Sequence, residues 1–303
     1  MKDLLGLYRN GDYRVIILSD GTKIRFNDLD SFHPDFPESI DMKISDRCDR
    51  GCPMCHERST KNGALADLEH PLLASIPPYT ELALGGGNIF EHPGIVPFLE
   101  RMKEQKVICN ATVHEAHFLE RYNEIRRFVD EGLLHGVGVS VDRAVDSVLL
   151  GRLASIPSLV VHVIAGIVDE KTIRSLAGHG LKLLILGYKN YGRGADYLED
   201  DANECRVRCG IEYLSGVFDS LKRDFSIVSF DNLALEQLRV RDKVEPEVWE
   251  HSYMGDDGSF TMYVDLVKNQ YAVSSVSPRH DIDSDDIRAL FGSVRRGRRN
   301  DRV

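Results

Sequence analysis

The chain has 303 residues, of which 42% are apolar and 28% charged, and its formal net charge is −10 at pH 7. This much apolar sequence is enough for one large or two modest cores, and the acidic balance argues against broad contact with nucleic-acid backbones, which need a basic face. No stretch approaches the roughly 20 consecutive apolar residues that span a bilayer. The first residues lack the apolar core of a signal peptide, and six cysteines do not resemble a secreted disulfide framework. We therefore expect a cytoplasmic protein without membrane contact.

The first 38 residues are predicted to form an accessory β-hairpin, because two β-rich runs flank a turn. The runs are residues 13–18 and 22–26, and Ser19-Asp20-Gly21 lies between them. Asp-Gly readily adopts the backbone angles of a tight hairpin turn.

From residue 40 onward, strand-like apolar runs alternate with helical patterns, which is typical of repeated βα units and a parallel sheet. The predicted strands are residues 40–45, 81–84, 107–112, 136–141, 159–164 and 181–186, and the predicted helices between them include 93–106, 118–132 and 171–178.

Three cysteines, Cys48, Cys52 and Cys55, follow directly after the first of these strands. Their thiolates are good metal ligands, but a closed structural zinc or iron–sulfur site takes four protein donors. Three donors on one loop therefore leave one coordination position for another molecule.

The C-x3-C-x2-C spacing resembles the cysteine loop of the radical S-adenosylmethionine (radical SAM) superfamily. The resemblance implies an α/β fold in which residues 39–195 form a partial (β/α)6 barrel, an open TIM-like barrel. It also implies that Cys48, Cys52 and Cys55 hold a [4Fe-4S] cluster whose fourth iron binds S-adenosyl-L-methionine. A reductant such as flavodoxin or ferredoxin is then an expected partner.

A glycine motif follows the second predicted strand. Gly85-Gly86-Gly87-Asn88, with His-Pro a few residues later, is similar to the family's Gly-Gly-Glu-Pro turn. The resemblance implies that all four residues contact the methionyl ammonium of the cofactor, since residues without Cβ let backbone carbonyls approach it. Asn88 stands where the family has an acidic residue and contributes no negative charge.

Later strand ends supply the other expected cofactor contacts. Asn110 is similar to the asparagine of the family's Thr-Asn-Gly-Thr, and Ser140 and Asp142 are similar to the Ser-x-Asp-Gly of the SPASM peptide-maturase branch. Ile167 and Tyr188 follow the fifth and sixth strands, in loops expected on the adenine side. Tyr188 has an alternative role in a polar cluster at the barrel mouth that suits a substrate. Ser140 and Asp142 have an alternative role as helix caps, which both residue types favour.

Residues 196–294 are predicted to form a small α+β extension, with a helix over 211–223, a short strand over 225–230 and a hairpin of residues 260–265 and 270–274. Cys205 and Cys209 lie one helical turn apart in this region, but two donors do not complete a metal site, and no cysteine follows Cys209. The auxiliary-cluster cysteines of the SPASM branch are therefore missing, and we interpret both residues as structural thiols.

The expected function is radical SAM chemistry, in which a reduced cluster cleaves S-adenosyl-L-methionine to a 5′-deoxyadenosyl radical that takes a hydrogen atom from the substrate. Ser140 and Asp142 favour a peptide, protein or amino-acid-derived substrate. The basic tail, residues 295–303, keeps modification of a nucleoside or nucleic acid as an alternative, although a solvated terminus also explains it. A function of another class is a non-catalytic zinc-binding interaction module, in which the cysteines and a fourth donor only staple a loop.

Overall fold

The computed structural model describes residues 3–29 and 31–300. The strands in this part of the chain are β1 (Leu4–Asn10), β2 (Tyr13–Leu18), β3 (Lys23–Phe26), β4 (Ser39–Ser45), β5 (Glu81–Gly86), β6 (Ile108–His114), β7 (Gly136–Ser140), β8 (Leu159–Ile164), β9 (Lys182–Leu186), β10 (Ile227–Phe230), β11 (Thr261–Asp265), β12 (Gln270–Ala272) and β13 (His280–Asp281). The helices are α1 (Ile95–Glu104), α2 (Glu115–Glu120), α3 (Tyr122–Asp130), α4 (Ser147–Ala154), α5 (Glu170–Leu176), α6 (Arg193–Tyr197), α7 (Asp201–Gly216), α8 (Phe218–Asp224), α9 (Asn232–Gln237), α10 (Pro246–Ser252) and α11 (Ile287–Asn300). Short 3₁₀ helices span Pro71–Ser75, Ile89–Glu91 and Val240–Lys243.

Ten strands form the main sheet, in the order β10-β9-β8-β7-β6-β5-β4-β11-β12-β13. From β10 to β11 every pair of neighbours is parallel. Parallel pairing requires long crossover connections, and most of those between β5 and β10 contain helices. All six strands predicted between residues 40 and 186 are present. The large parallel sheet of the expected α/β fold is therefore confirmed.

The two faces of the main sheet are packed differently. On one face, Phe98 and Leu99 of α1 and Phe128 of α3 belong to the continuous apolar core and are buried. The other face is concave, since residues of β5, β6, β7, β8, β9 and β10 together line a single cavity. The core thus lies between the sheet and its helices, and the space within the curve of the sheet is left open.

Two strands that were expected in a separate C-terminal extension join the main sheet. β10 adds a parallel strand beside β9. β11 pairs in parallel with β4, and Met262, Tyr263 and Val264 of this strand are all buried. A strand buried on both faces suits the interior of a parallel sheet. The predicted hairpin is present as β11 and β12, but it extends the main sheet beyond β4.

The N-terminal region is a three-stranded antiparallel sheet in the order β1-β2-β3. The predicted hairpin is present as β2 and β3, and β1 is a further strand that the sequence analysis missed. This sheet is fixed to the start of β4 through buried Glu38, which accepts hydrogen bonds from the Tyr13 hydroxyl (2.6 Å) and from Arg25 Nε (2.8 Å). The Arg25 guanidinium also lies 3.8 Å from the ring centroid of Phe260, just before β11.

Two predicted helices have different bounds in the structure. The helix predicted over 118–132 is two helices, α2 and α3, which meet at Arg121. The helix predicted over 211–223 begins earlier, as α7, and is interrupted at Val217. Asp200 explains the early start, because its side chain accepts a hydrogen bond from the Asn203 amide and caps the helix.

The helix α11 extends into the predicted basic tail. It contains residues 295–300, and the Arg295 guanidinium donates a hydrogen bond to the Pro34 carbonyl at 2.6 Å. Residues 301–303 of that tail lie outside the described residues. None of the helices that the structure describes combines the length and apolar character needed to cross a membrane.

We expect α11 to be an integral part of the fold. Phe291 is fully buried in the main core, so Phe291→Ala should lower the free energy of unfolding by about 3–5 kcal/mol through lost burial and an unfilled cavity. Urea denaturation followed by circular dichroism measures the change. The exposed Arg296 on the same helix gives the control, because Arg296→Ala should change stability by less than about 0.5 kcal/mol. Similar small changes in both variants would contradict this expectation.

Candidate functional site

The three cysteines lie on the segment that follows β4, and backbone hydrogen bonds close this segment on itself. The amide of Asp46 donates to the carbonyl of Ala64, and the amide of Cys48 donates to the carbonyl of Thr60, both at 2.8 Å. All three thiols are partly exposed. Residues 46–64, here called the cysteine loop, therefore follow a fixed path beside the end of the sheet.

Glycines at the end of β5 hold the start of the cysteine loop through direct backbone contact. The Gly87 amide donates to the Ser45 carbonyl (2.6 Å), and the Asn88 amide donates to the Arg47 carbonyl (2.7 Å). A Cβ at Gly86 would overlap the carbonyl oxygen of Ser45, and a Cβ at Gly87 would overlap that of Arg47. Gly86 also has a φ of +105°, which other residues rarely adopt. These two glycines are therefore needed for the packing of the loop itself.

The cysteine loop is held on its other side by the residues that follow β9. The Arg193 guanidinium donates to the carbonyl oxygens of Cys52 and Ser59, both at 3.0 Å. The backbone amide of Arg193 donates to the Cys55 carbonyl at 3.1 Å. Two connections from opposite parts of the parallel sheet thus fix the positions of the thiols.

A buried ammonium group joins the cysteine loop to the sheet. Lys43 Nζ of β4 lies 2.6 Å from a carboxylate oxygen of Asp46, 2.9 Å from one of Glu57 and 3.2 Å from one of Asp265. Burial alone would lower the pKa of Lys43, but the attraction of the three carboxylates is stronger and raises it. Lys43 is therefore charged, and it ties β4, the cysteine loop and β11 together.

The cysteine loop and four strand ends surround a cavity of about 180 Å³, here called the upper cavity. It lies at the carboxyl ends of the parallel strands, where sheets of this class place their ligands. Its lining includes Cys48, Cys52, Cys55, Gly86, Gly87, Thr112, His114, Ser140, Asp142, His162 and Ile167.

Five of the nine residues predicted to bind a cofactor line the upper cavity together with the three cysteines. They are Gly86, Gly87, Ser140, Asp142 and Ile167. The structure therefore brings together residues from four separate segments of the chain at one place.

The other four predicted residues do not line this cavity. Asn88 caps the following 3₁₀ helix, since its side-chain oxygen accepts a hydrogen bond from the Phe90 amide at 3.2 Å. Tyr188 is buried, and its hydroxyl donates to the Gly194 carbonyl at 2.8 Å. Gly85 takes no part in the close contact of Gly86 and Gly87 with the chain around Asp46. A Cβ at Gly85 would meet open space.

Asn110 lies in the middle of β6 rather than at its end. The strand continues to His114, so Thr112 and His114, and not Asn110, line the upper cavity beside the cysteines. Asn110 lines a different cavity, nearer the amino ends of the strands.

Two histidines beside the upper cavity each have an acidic partner. His114 Nε2 lies 3.7 Å from Asp142, and His117 Nε2 lies 2.7 Å from Asp49. Hydrogen bonding by the histidine lowers the pKa of Asp142 and of Asp49. Asp142 is therefore ionised at the edge of the upper cavity. The sequence signal that could have indicated the contact between His114 and Asp142 is the register of β6 against β7.

His162 of β8 is a further residue of this site that sequence reasoning missed. Its ring lies across Gly138, where a Cβ would overlap the imidazole. Burial lowers the pKa of His162 to about 4, so the ring is neutral at physiological pH.

The spacing of the donor atoms bears on the kind of metal centre. Burial raises the pKa of Cys48 and of Cys52, so a bound metal would have to displace their protons. In the part of the chain that the structure describes, only Cys48, Asp49 and His117 bring three donor atoms within 4.8 Å of one another. The three sulfurs of Cys48, Cys52 and Cys55 do not form such a group, because they do not all lie within 4.8 Å of one another.

The remaining cysteine pair lies elsewhere. Cys205 and Cys209 are exposed on α7, with their sulfurs 3.9 Å apart, and neither lines the upper cavity. The interpretation of these residues as structural thiols stays a prediction.

Comparison with solved structures shows which fold the chain shares. It is similar to SuiB of Streptococcus suis bound to the precursor peptide SuiA, with a TM-score of 0.65 and 10% sequence identity over 97% of this chain and 90% of that one. The structure of SuiB bound to S-adenosylmethionine gives a TM-score of 0.62 and 9% identity over 94% of this chain and 86% of that one. No protein-family model matches the chain. No curated protein matches it in sequence.

We expect Gly87 and Gly85 to respond differently to the same substitution. Gly87→Ala places a Cβ against the Arg47 carbonyl and should lower the free energy of unfolding by roughly 1–3 kcal/mol through overpacking. Gly85→Ala meets open space and should change it by less than about 1 kcal/mol. Urea denaturation of the two variants measures the difference. Equal losses would contradict the role given to Gly87.

The pKa of His162 predicts how stability depends on pH. An ordinary histidine has a pKa of 6.5, whereas folding lowers that of His162 to about 4, so the unfolded chain binds the extra proton between these values. The contribution of His162 to the free energy of unfolding is complete above pH 6.5. It is lost as pH falls, by about 2 kcal/mol from pH 7 to pH 5. In His162→Gln this part of the pH dependence should disappear from urea denaturation curves. His179→Gln, at an exposed histidine, should leave the wild-type profile unchanged.

Proposed function

We propose that this protein is a radical SAM enzyme that acts on a peptide. The observation that carries the proposal is the upper cavity, in which an incomplete set of three thiols faces Gly86, Gly87, Ser140 and Asp142 at the carboxyl ends of parallel strands. The fold shared with SuiB, a protein solved with S-adenosylmethionine bound, supports the same proposal. On this view the concave parallel sheet is the expected partial (β/α)6 barrel.

The residues present fit the two groups that this function requires. Cys48, Cys52 and Cys55 would hold a [4Fe-4S] cluster and leave one iron open to the amino and carboxylate groups of S-adenosyl-L-methionine. When bound, these groups supply radical chemistry: one electron from a reductant such as flavodoxin or ferredoxin cleaves the sulfonium, and the 5′-deoxyadenosyl radical takes a hydrogen atom from the substrate.

The chain itself supplies binding and orientation. Ser140, at the carboxyl end of β7, and ionised Asp142, just after it, can bind hydroxyl or ammonium groups of a ligand. Ile167 offers an apolar surface. Gly86 and Gly87 line the upper cavity, and their close contact with the chain on either side of Asp46 holds the cysteine loop beside it. Clamping of the cysteine loop from two sides keeps the thiols in place, and holding reacting groups in a fixed geometry is a large part of catalysis.

A peptide is the substrate class that the comparisons favour. The more similar of the two SuiB structures was solved with a precursor peptide bound. The Ser140-x-Asp142 pattern, which resembles the SPASM peptide-maturase branch, points to the same class, although this chain has no cysteine beyond Cys209 for an auxiliary cluster.

We expect Cys52→Ala to abolish cluster binding. Anaerobically purified and reconstituted wild-type protein should be brown, contain iron and sulfide, and release 5′-deoxyadenosine from S-adenosyl-L-methionine under reduction. In Cys52→Ala the iron content should fall to the background level and 5′-deoxyadenosine should no longer form, because two thiolates do not retain the cluster.

The matched control is Cys205→Ala, which removes a thiol that lies outside the upper cavity and should leave iron content and 5′-deoxyadenosine formation as in the wild type. A colourless wild-type protein that holds one zinc ion and does not cleave S-adenosyl-L-methionine would overturn the proposed function and favour the zinc-binding interaction module.

A further inference from the structure

A second and larger cavity lies inside the concave face of the main sheet. It has a volume of about 600 Å³ and is here called the lower cavity. Its wall is formed by the first halves of β5 to β10, including Gly136, Lys182 and Ile227, and residues of the N-terminal sheet such as Ile17 cover it. This volume lies within the range of pockets that bind small ligands.

Three residues that line the lower cavity each carry a buried polar atom with no hydrogen-bond partner in the described part of the chain. The atoms are Nδ1 of His135, Oγ of Ser158 and Nδ1 of His162. Buried polar groups in folded proteins are almost always hydrogen-bonded, so a cluster of unpartnered ones in one cavity indicates a ligand or water that completes them. Most of the remaining wall is apolar, as in other binding pockets.

The lower cavity adjoins the site already described. Thr112 and His162 line both the lower and the upper cavity. The His162 ring is fixed across Gly138, where even a methyl group would overlap it. A group that binds against this ring from below therefore lies next to the space assigned to the cofactor.

The unpartnered atoms are uncharged at neutral pH. Burial lowers the pKa of His162 to about 4 and also lowers that of His135. The charged side chains that line the lower cavity are already engaged. Lys182 Nζ donates to the Pro157 carbonyl at 2.9 Å, Glu81 lies 3.5 Å from Lys23, and Asp20 accepts a hydrogen bond from the Thr22 amide at 3.1 Å. An ion in the lower cavity would find no countercharge at its upper end, and burying an unpaired charge is strongly unfavourable.

We propose that the lower cavity binds an uncharged, hydrogen-bonding side chain of the substrate, such as a carboxamide or a hydroxyl, and that His162 is the residue that selects and orients it. The proposal rests on the proposed function only in taking the substrate to be a peptide. The neutral imidazole can donate one hydrogen bond and accept another, which complements both groups.

Binding of blocked amino acids to the full-length protein tests this proposal. The probes are N-acetyl-asparagine methylamide and its charged counterparts, N-acetyl-aspartate methylamide and N-acetyl-lysine methylamide. Each is titrated into reconstituted protein labelled with ¹³C at histidine Cε1. The asparagine probe should shift the His162 resonance and bind at least tenfold more tightly than either charged probe.

Variants assign the effect to the imidazole. His162→Phe keeps a ring but no hydrogen-bonding atom and should weaken the asparagine probe at least tenfold. His162→Gln should recover part of this loss, and His179→Phe, at an exposed histidine, should have no effect. Equal affinity for the three probes, or unchanged affinity in a folded His162→Phe, would overturn the proposal.

The titration and the cluster assay together separate this proposal from the proposed function. Selective, His162-dependent binding by a chain that forms no cluster even after reconstitution would uphold the lower cavity and overturn the radical SAM assignment. A chain that makes 5′-deoxyadenosine but binds all three probes alike would do the reverse.

Discussion

The buried charge of Lys43 is the constraint on which the architecture of the site depends. An ammonium group inside a protein must be paired, and Lys43 has carboxylates from the cysteine loop on one side and from β11 on the other. Removing any one of these segments would leave a buried charge without full compensation. The parallel strand added beside β4 and the loop that carries the thiols are therefore coupled, although more than 200 residues of sequence separate Glu57 from Asp265.

Glycine has a second structural role beside this ionic cluster. At the end of β5 it permits backbone contact with the cysteine loop, and in β7 it makes room for the ring of His162. At each position the space that a side chain would take is filled by a group from another segment, either a carbonyl of the chain around the start of the cysteine loop or the ring of His162.

Sequence reasoning located the parallel strands and the thiols because both depend on local pattern. Apolar runs of four to seven residues mark each strand of the α/β core, and three cysteines within eight residues are a pattern typical of a metal-binding loop. The position of β11 beside β4 could not be predicted, because nothing local in either strand specifies a partner so distant in sequence.

The individual contacts of the site were harder to predict than its location. Asn110 was expected at the carboxyl end of its strand, but β6 continues to His114. Asn110 therefore lines the lower cavity and not the upper one. Asn88 was read as a ligand from the motif around it, yet its side chain caps a 3₁₀ helix. His162 lies within an apolar strand and shows no motif, so only its three-dimensional surroundings distinguish it.

The shared wall between the two cavities gives their occupants a thermodynamic relationship. One imidazole ring faces both spaces, so any displacement of it on binding a molecule in one cavity changes the surface offered to a molecule in the other. Such an effect is reciprocal: whatever factor the first ligand applies to the affinity of the second, the second applies to the first. Ligands in the two cavities would therefore be coupled through the side chains that the cavities share, His162 and Thr112.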